Sequence, residues 1–316
     1  MIKYNKSFVN IFFVYFFLTF TIGYADFDRR VVSFEDSTKA LKEVVEGKAS
    51  LPMVARILIP YTVYFFHKIS HIPLNYAYAL FRFIFFFLSF ILFHIYLKKW
   101  FDDKLAMIGT LSMVASLPLT LTNWYCIPTD MPELITFILG AMWIRDNKYK
   151  NLFILIPIAA LNRETAIALV LLYFLNGIGK EKQNILIRRT VVYFLLWFVP
   201  YIFLVSIFGF TTWPPFSVLK HNCEGLLQMF RVPNPYNNYY FLLYLCGFYW
   251  ILAFRDFRSK DAFLKRAVVV MVPYFLYAFC RAGAINEVRM FMPFYVFVIP
   301  LGLFSLFNEN KTSLNK

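Results

Sequence analysis

Apolar residues dominate long stretches of the chain, at 8–24, 74–97, 105–121, 131–144, 152–175, 190–209, 239–254, 267–280 and 290–307. Several of these runs approach or exceed the roughly 18–20 residues that a helix needs to cross a bilayer. The loops between them alternate in basic content. The basic clusters are Lys98/Lys99/Lys104, Arg145/Lys148/Lys150, Lys180/Lys182/Arg188/Arg189 and Arg255/Arg258/Lys260/Lys265/Arg266. That alternation places these loops on the cytoplasmic side. The pattern predicts an all-α, polytopic transmembrane bundle forming a single domain over 1–316. It has about eight full crossings, both termini in the cytoplasm, and a location in the cytoplasmic (inner) membrane.

Two segments break the alternation. The run at 53–66 is short and contains Arg56 and Pro60; if it crossed, Lys98–Lys104 would lie outside, so it is read as packed on the outer surface. The run at 152–175 has basic loops on both sides and Asn162-Arg163-Glu164-Thr165 in its middle. An arginine at the bilayer centre costs roughly 2.5–3.5 kcal/mol even on the lenient insertion scale. A re-entrant hairpin of two half-length helices, 152–161 and 166–175, avoids this cost if its polar tip faces an outward cavity. A single buried helix with an internal Arg–Glu pair is the other reading.

The outer loop at 25–73 has its own organisation. Ser33-Phe34-Glu35-Asp36 starts a helix in the manner of a capping box, Phe34, Ala40, Leu41, Val44 and Val45 share a face, and Gly47 ends it. This is a helix for the outer interface, and the segment from Leu51-Pro52 makes a second one. A further outer loop, 210–238, is rich in aromatics, Pro and Asn and carries His221, Glu224 and Arg231. The first span ends in Gly23-Tyr24-Ala25, which slightly resembles a cleavage site; an uncleaved span is the preferred reading, and the remaining topology is the same either way.

Composition sharpens the class. Of the 316 residues 60% are apolar and only 16% charged, against about 25% charged for a soluble domain. Soluble enzymes, disordered chains and disulfide scaffolds are excluded. The formal charge of +14 reads as basic loops beside anionic lipid rather than as a nucleic-acid surface. Cys126, Cys223, Cys246 and Cys280 form no C-x-x-C pair or metal spacing.

The candidate chemistry lies on the outer side. Asp26-Phe27-Asp28 sits where the first span ends; two such carboxylates can share a metal, or one can act as a base while the other orients it. Asp130 and Glu133 flank Pro132, Arg163 and Glu164 occupy the tip of the broken run, and Arg281, Glu287 and Arg289 precede the last span. Each Glu/Arg pair taken singly reads best as an ion pair sealing helix ends. Their arrival from separate parts of the chain at one side is the stronger signal. Arginine forks suit a phosphate, and the carboxylates suit general-base work. The acidic groups suit Mg²⁺ or Mn²⁺ without forming a complete hard-cation ligand set. His67 and His71, four apart, lack an obvious third ligand and read as interfacial.

The D-x-D after the first span, the two surface helices, the short Arg-bearing hairpin and Glu287-Val288-Arg289 resemble the C-type (GT-C) membrane glycosyltransferases. Leu51-Pro52…Arg56-Ile57-Leu58-Ile59-Pro60, Asn162-Arg163-Glu164-Thr165 and Glu287-Val288-Arg289…Pro293 also look like those of bacterial membrane proteins grouped near that superfamily. The likeness covers most of the chain in architecture and only short motifs in sequence; the chain would be a short member. It implies an inverting transfer of a sugar from a polyprenyl phosphate to a lipid or glycan acceptor at the outer face. Asp28 or Asp26 would be the base, with Glu35-Asp36 as a second acidic candidate. Arg163, Arg289, Arg56 and Arg281 would hold the donor phosphate, supported by Glu164, Glu287, Asp130 and Glu133. A polymerase or accessory subunit of surface-polysaccharide synthesis, or a lipid or solute transporter, are the alternatives; Arg82 and His94 inside the second span fit transport.

Overall fold

The computed structural model describes residues 6–28, 34–120, 128–209, 217–231, 245–282 and 287–307. Among them every regular element is a helix and no strand occurs: α1 (Lys6–Asp28), α2 (Phe34–Val45), α3 (Leu58–Ser70), α4 (Leu74–Leu97), α5 (Asp103–Thr120), α6 (Asp130–Arg145), α7 (Leu152–Asn162), α8 (Ile167–Gly177), α9 (Gln183–Phe208), α10 (Ser217–Arg231), α11 (Tyr249–Phe254), α12 (Ala262–Tyr277) and α13 (Tyr295–Phe307). Short 3₁₀ turns at Met53–Ala55, Glu164–Ala166 and Val288–Phe294 and a π-helical turn at Ala278–Ala282 join or extend these.

Four helical stretches among the described residues are both long and apolar enough to cross a membrane: Leu74–Leu97, Gln183–Phe208, Ala262–Cys280 and Val288–Phe307. The expected count of about eight full crossings is therefore not supported. The apolar part of α1, Asn10–Tyr24, is short. Helix α6 has 16 residues and opens with Asp130 and Glu133. Helix α5 has 18 but spends four positions on hydroxyls, and of the run at 239–254 the described helix is the six-residue α11. Length and polarity, not the absence of helix, lower the count.

The polar residues of α5 show why such a helix is stable when packed. Thr110 and Ser112 donate their hydroxyls to the carbonyls of Ala106 and Ile108 one turn back, while Ser112 meets the Tyr249 hydroxyl at 2.8 Å and Thr120 meets that of Tyr295 at 2.6 Å. Between helices in an apolar medium, such hydrogen bonds and close packing replace the hydrophobic driving force. Aromatic rings do the same for α1 on α4, where Phe12 meets Phe87 at 4.9 Å and Phe20 meets Phe83 at 4.6 Å. These pairs run in opposite order along the two helices, so α1 is antiparallel to α4 and ends, at Asp28, beside the start of α4.

The basic loops meet at one end of the bundle. Lys99 bonds Asp146 at 2.5 Å, Arg145 donates to the Lys99 carbonyl and stacks over Trp100, and Arg266 donates to the Asn176 carbonyl. At that end Lys260 donates to the carbonyls of Leu252 and Ala253, capping α11; burial pulls its pKa down to about 8. At the opposite end lie α2 and α3, which share a small core with α4 made of Leu41, Ile59, Val63, Leu74, Ala77 and Tyr78. Gly47, at φ +69°, adopts the left-handed turn that ends α2. His67 bonds the Ile72 carbonyl at 2.7 Å and so ties down the end of α3.

Helices α7 and α8 turn back on one another. Tyr149, in the 3₁₀ turn Tyr149–Asn151 that precedes α7, contacts Tyr173 near the end of α8 at 5.0 Å, and both approach the first half of α9, through the Tyr193 hydroxyl on the Tyr149 carbonyl and the Tyr173–Tyr193 ring pair at 4.8 Å. The turn at 163–166 lies at the far end, where Trp197 of α9 donates its indole N–H to the Glu164 carbonyl at 2.9 Å. Trp197 is 14 residues along α9, which puts the tip about 21 Å from that helix's basic end at 1.5 Å per residue. The polar tip thus stands near the middle of a spanning helix.

Candidate functional site

The site forms because three backbone breaks coincide. Helix α7 ends at Asn162, whose amide donates to the Thr129 carbonyl, and Arg163 takes up extended backbone. The extended residue turns its guanidinium onto the first turn of α6. There Asp130 and Glu133 lie at the positive end of the α6 dipole, where carboxylates are favoured. Arg163 reaches Asp130 at 3.0 Å and Glu133 at 2.5 Å through one nitrogen, Nη1. Thr165 donates its hydroxyl to the other oxygen of Glu133.

Arg289, in the 3₁₀ turn before α13, joins from the other side. It donates to Asp130 at 3.2 Å and to Glu287 at 2.8 Å. Arg56, just after the turn at Met53–Ala55, grips Glu164 with Nη2 at 2.7 Å and Nε at 3.4 Å, a two-pronged contact. Asp130, Glu133, Arg163 and Arg289 are all at most 3% exposed. Ion pairs this deep persist only because partner charges and hydrogen bonds offset the loss of water.

Beside the network is a cavity of about 350 Å³. Its polar wall is Arg56, Arg163, Glu164 and Thr165; its aromatic wall is Trp197 and Tyr201 of α9 with Tyr274 and Tyr277 of α12; the floor is apolar, from α8. Trp197 and Tyr201 stack at 5.0 Å with their planes within 11°. The Tyr274 hydroxyl donates to the Met290 carbonyl, which ties α12 to the turn bearing Arg289. Arg163 lines the cavity with donor capacity in hand, since its bonds to Asp130 and Glu133 both use Nη1, while its Nε is enclosed without an acceptor.

Seven of the residues singled out from the sequence are thus brought together: Arg56, Asp130, Glu133, Arg163, Glu164, Glu287 and Arg289. Asp26 and Asp28 lie in the last turn of α1, Glu35 and Asp36 in the first turn of α2, and Arg281 in the π-helical turn; their side chains are outside the described residues. Arg82 and His94 lie elsewhere. Arg82 meets the Tyr78 hydroxyl at 3.1 Å, and His94 bridges Tyr15 and Asp103. Among the described residues no three His, Cys, Asp or Glu side chains gather as a metal site; the site carboxylates face arginine instead.

Thr165 stood beside Arg163 in sequence and was legible as part of the tip. Trp197, Tyr201, Tyr274 and Tyr277 were not: in a chain with 40 Phe, 21 Tyr and 6 Trp, an aromatic residue within a span carries no signal of its own. No protein-family model, curated protein or solved structure matches the chain.

Proposed function

We propose that the protein is a membrane glycosyltransferase that moves a sugar from a polyprenyl phosphate to a lipid or glycan acceptor on the extracytoplasmic face. The observation that carries this reading is a buried arginine with unspent donors facing a cavity whose other walls are aromatic and apolar. Such a cavity suits an anionic head on a lipid. In this reading Arg163 and Arg56 hold the donor phosphate as negative charge develops on it. Fixed donors in a site with little water stabilise that charge strongly, while the anomeric carbon passes through oxocarbenium-like character. Asp28 or Asp26 takes the proton of the acceptor hydroxyl. The end of α1 lies opposite the basic loops and the network stands about 21 Å from the basic end of α9, which supports a site reached from the outer side of the inner membrane under the positive-inside rule.

The test compares surface glycans and polyprenyl-linked intermediates by mass spectrometry in wild type, a deletion, and the deletion complemented with Asp28→Asn at matched protein level. The expected result is a glycan lacking one sugar in both altered strains, with loaded donor lipid accumulating. A normal glycan from the Asp28→Asn strain removes that residue from the chemistry.

The depth of the hairpin tip favours a second reading. Broken helices that bring charge near the middle of a span also mark substrate sites in transporters. No glycan change on deletion, with a lipid or solute retained on one side of the membrane, selects it.

Topology has its own test. In a background without native cysteines, Lys148→Cys and Lys182→Cys, which flank the hairpin, are both expected to stay unlabelled by an impermeant thiol reagent outside intact cells. Labelling of one of them alone means that 152–175 crosses once.

A further inference from the structure

The cavity wall fixes more than the sign of its ligand. Among the described residues its charged side chains are Arg56, Arg163 and Glu164, two positive charges against one negative, which leaves a formal charge of plus one. Glu164 sets that value by occupying Arg56. One of its oxygens takes Nη2 at 2.7 Å and the other takes Nε at 3.4 Å. The remaining nitrogen, Nη1, has only the Met53 sulfur at 3.9 Å, so Arg56 keeps a donor while its charge is offset. Arg163 keeps one too, because both of its carboxylate bonds use Nη1, and Nη2, unlike Nε, is not enclosed.

The other polar groups of the wall are spent or uncharged. Thr165 gives its hydroxyl to Glu133, Tyr274 gives its own to the Met290 carbonyl, and Trp197 gives its N–H to the Glu164 carbonyl. Tyr201 and Tyr277 bring hydroxyls without charge. The wall therefore offers two guanidinium donors and one net positive charge. A phosphodiester matches both counts, since its two free oxygens share a single negative charge. A phosphomonoester takes on a second charge above about pH 6, and among the described residues no further cation lines the cavity to meet it. In a site with little water that second charge stands near Glu164 at a cost that bulk water would screen.

We infer that Glu164 is the charge-selecting residue of this cavity: by offsetting Arg56 it fits the site to a singly charged phosphodiester and against a doubly charged phosphomonoester. This rests on the cavity being the donor-phosphate site and names the residue that sets its selectivity. For a transferase the loaded donor is such a diester. When the bond between the sugar and the phosphate oxygen breaks, that oxygen keeps the electron pair, the sugar joins the acceptor oxygen, and the acceptor's proton passes to the carboxylate base. The two free donors meet the charge as it develops. The full second charge on the monoester left behind, with Glu164 beside it, then favours release, and the empty carrier competes poorly with the loaded one.

Binding to the purified full-length protein in an uncharged detergent tests this without turnover, so the result stands whether or not the glycan experiment succeeds. The probes are hexyl methyl phosphate, a singly charged diester, and hexyl phosphate, titrated by calorimetry at pH 8, with dimethyl phosphate as the chain-free control. Wild type is expected to bind the diester about 10-fold more tightly than the monoester, the scale of one unmet charge in a partly shielded site. At pH 5 hexyl phosphate loses its second charge and is expected to close most of that gap, with the diester as the control for changes in the protein. Glu164→Gln leaves the charge of Arg56 without its offset, and is expected to tighten the monoester about 10-fold and the diester less, which abolishes the preference. Arg56→Gln leaves Glu164 unopposed and is expected to widen the preference; it serves if Glu164→Gln fails to fold. Equal affinity of wild type for the two esters at pH 8 overturns the inference and leaves the phosphate site standing, as does an unchanged preference in either folded variant. Binding of neither ester removes the phosphate site and the inference with it. Equal binding of dimethyl phosphate and hexyl methyl phosphate keeps the charge selection and assigns it to a soluble diester; loss of binding without the chain assigns it to a lipid.

Discussion

Arg163→Met is expected to destabilise the folded protein by about 3–5 kcal/mol, the cost of leaving buried charge without its partner. Arg163 is the only described arginine bonding Glu133, which would then have just the Thr165 hydroxyl; Asp130 would still have Arg289. The two losses differ, and this makes the effect specific. Adding Glu133→Gln to Arg163→Met removes the stranded charge and should restore a large part of the stability. Adding Asp130→Asn should restore less. Unfolding by a graded denaturing detergent in mixed micelles reads all three, and the departure from additivity measures the coupling. An Arg163→Met protein as stable as wild type means the network does not hold the hairpin tip against α6. The same variant is expected to lose the biological activity, since the cavity loses the donors that face it.

The second large effect is expected at a glycine. A methyl group added to Gly302 of α13 would lie 2.3 Å from Cδ1 and 3.1 Å from Cε1 of Tyr249. That ring has little freedom to yield because its hydroxyl meets Ser112 at 2.8 Å. Gly302→Ala should therefore force α11 away from α13 or break the Ser112 contact, at about 1–3 kcal/mol, and Gly302→Leu should cost more. Gly140→Ala is the comparison. Its methyl meets the ends of the Leu169 side chain at 2.7 Å, and these can swing aside. Gly23→Ala, with nothing within 4 Å, is expected to be neutral or slightly stabilising through helix propensity. Thermal denaturation of the three variants in one detergent gives their order. A Gly302→Ala protein no less stable than Gly23→Ala would show that α11 and α13 are not in close contact.

Much of the site was legible because charged residues are rare in this chain. With 16% charged residues, Asp130, Glu133, Arg163, Glu164, Glu287 and Arg289 stand out against their apolar neighbours, and burial of such groups demands partners. Arg56 stood out in the same way inside a short apolar run. The aromatic wall was hidden for the converse reason. Trp197 and Tyr277 occupy spans where large apolar rings are the rule, and nothing local separates a ring facing lipid from one facing a cavity. The number of crossings was overread for a related cause. An apolar run such as 131–144 suits both a spanning helix and a short helix buried among others, and α6 is a short helix with its polar first turn enclosed by Arg163 and Arg289.

By itself, the sequence determined the helical membrane class, the break in the run at 152–175 and the identity of most of the charged residues that had to find partners. These follow from transfer free energy and backbone hydrogen bonding, which act residue by residue. Only the tertiary structure decided which carboxylate each arginine takes, that Arg163 spends one nitrogen on two of them, and that four aromatic residues close the cavity beside it. Ion pairing and cavity shape depend on distances between residues as far apart as Asp130 and Arg289, and those distances exist only once the helices have packed.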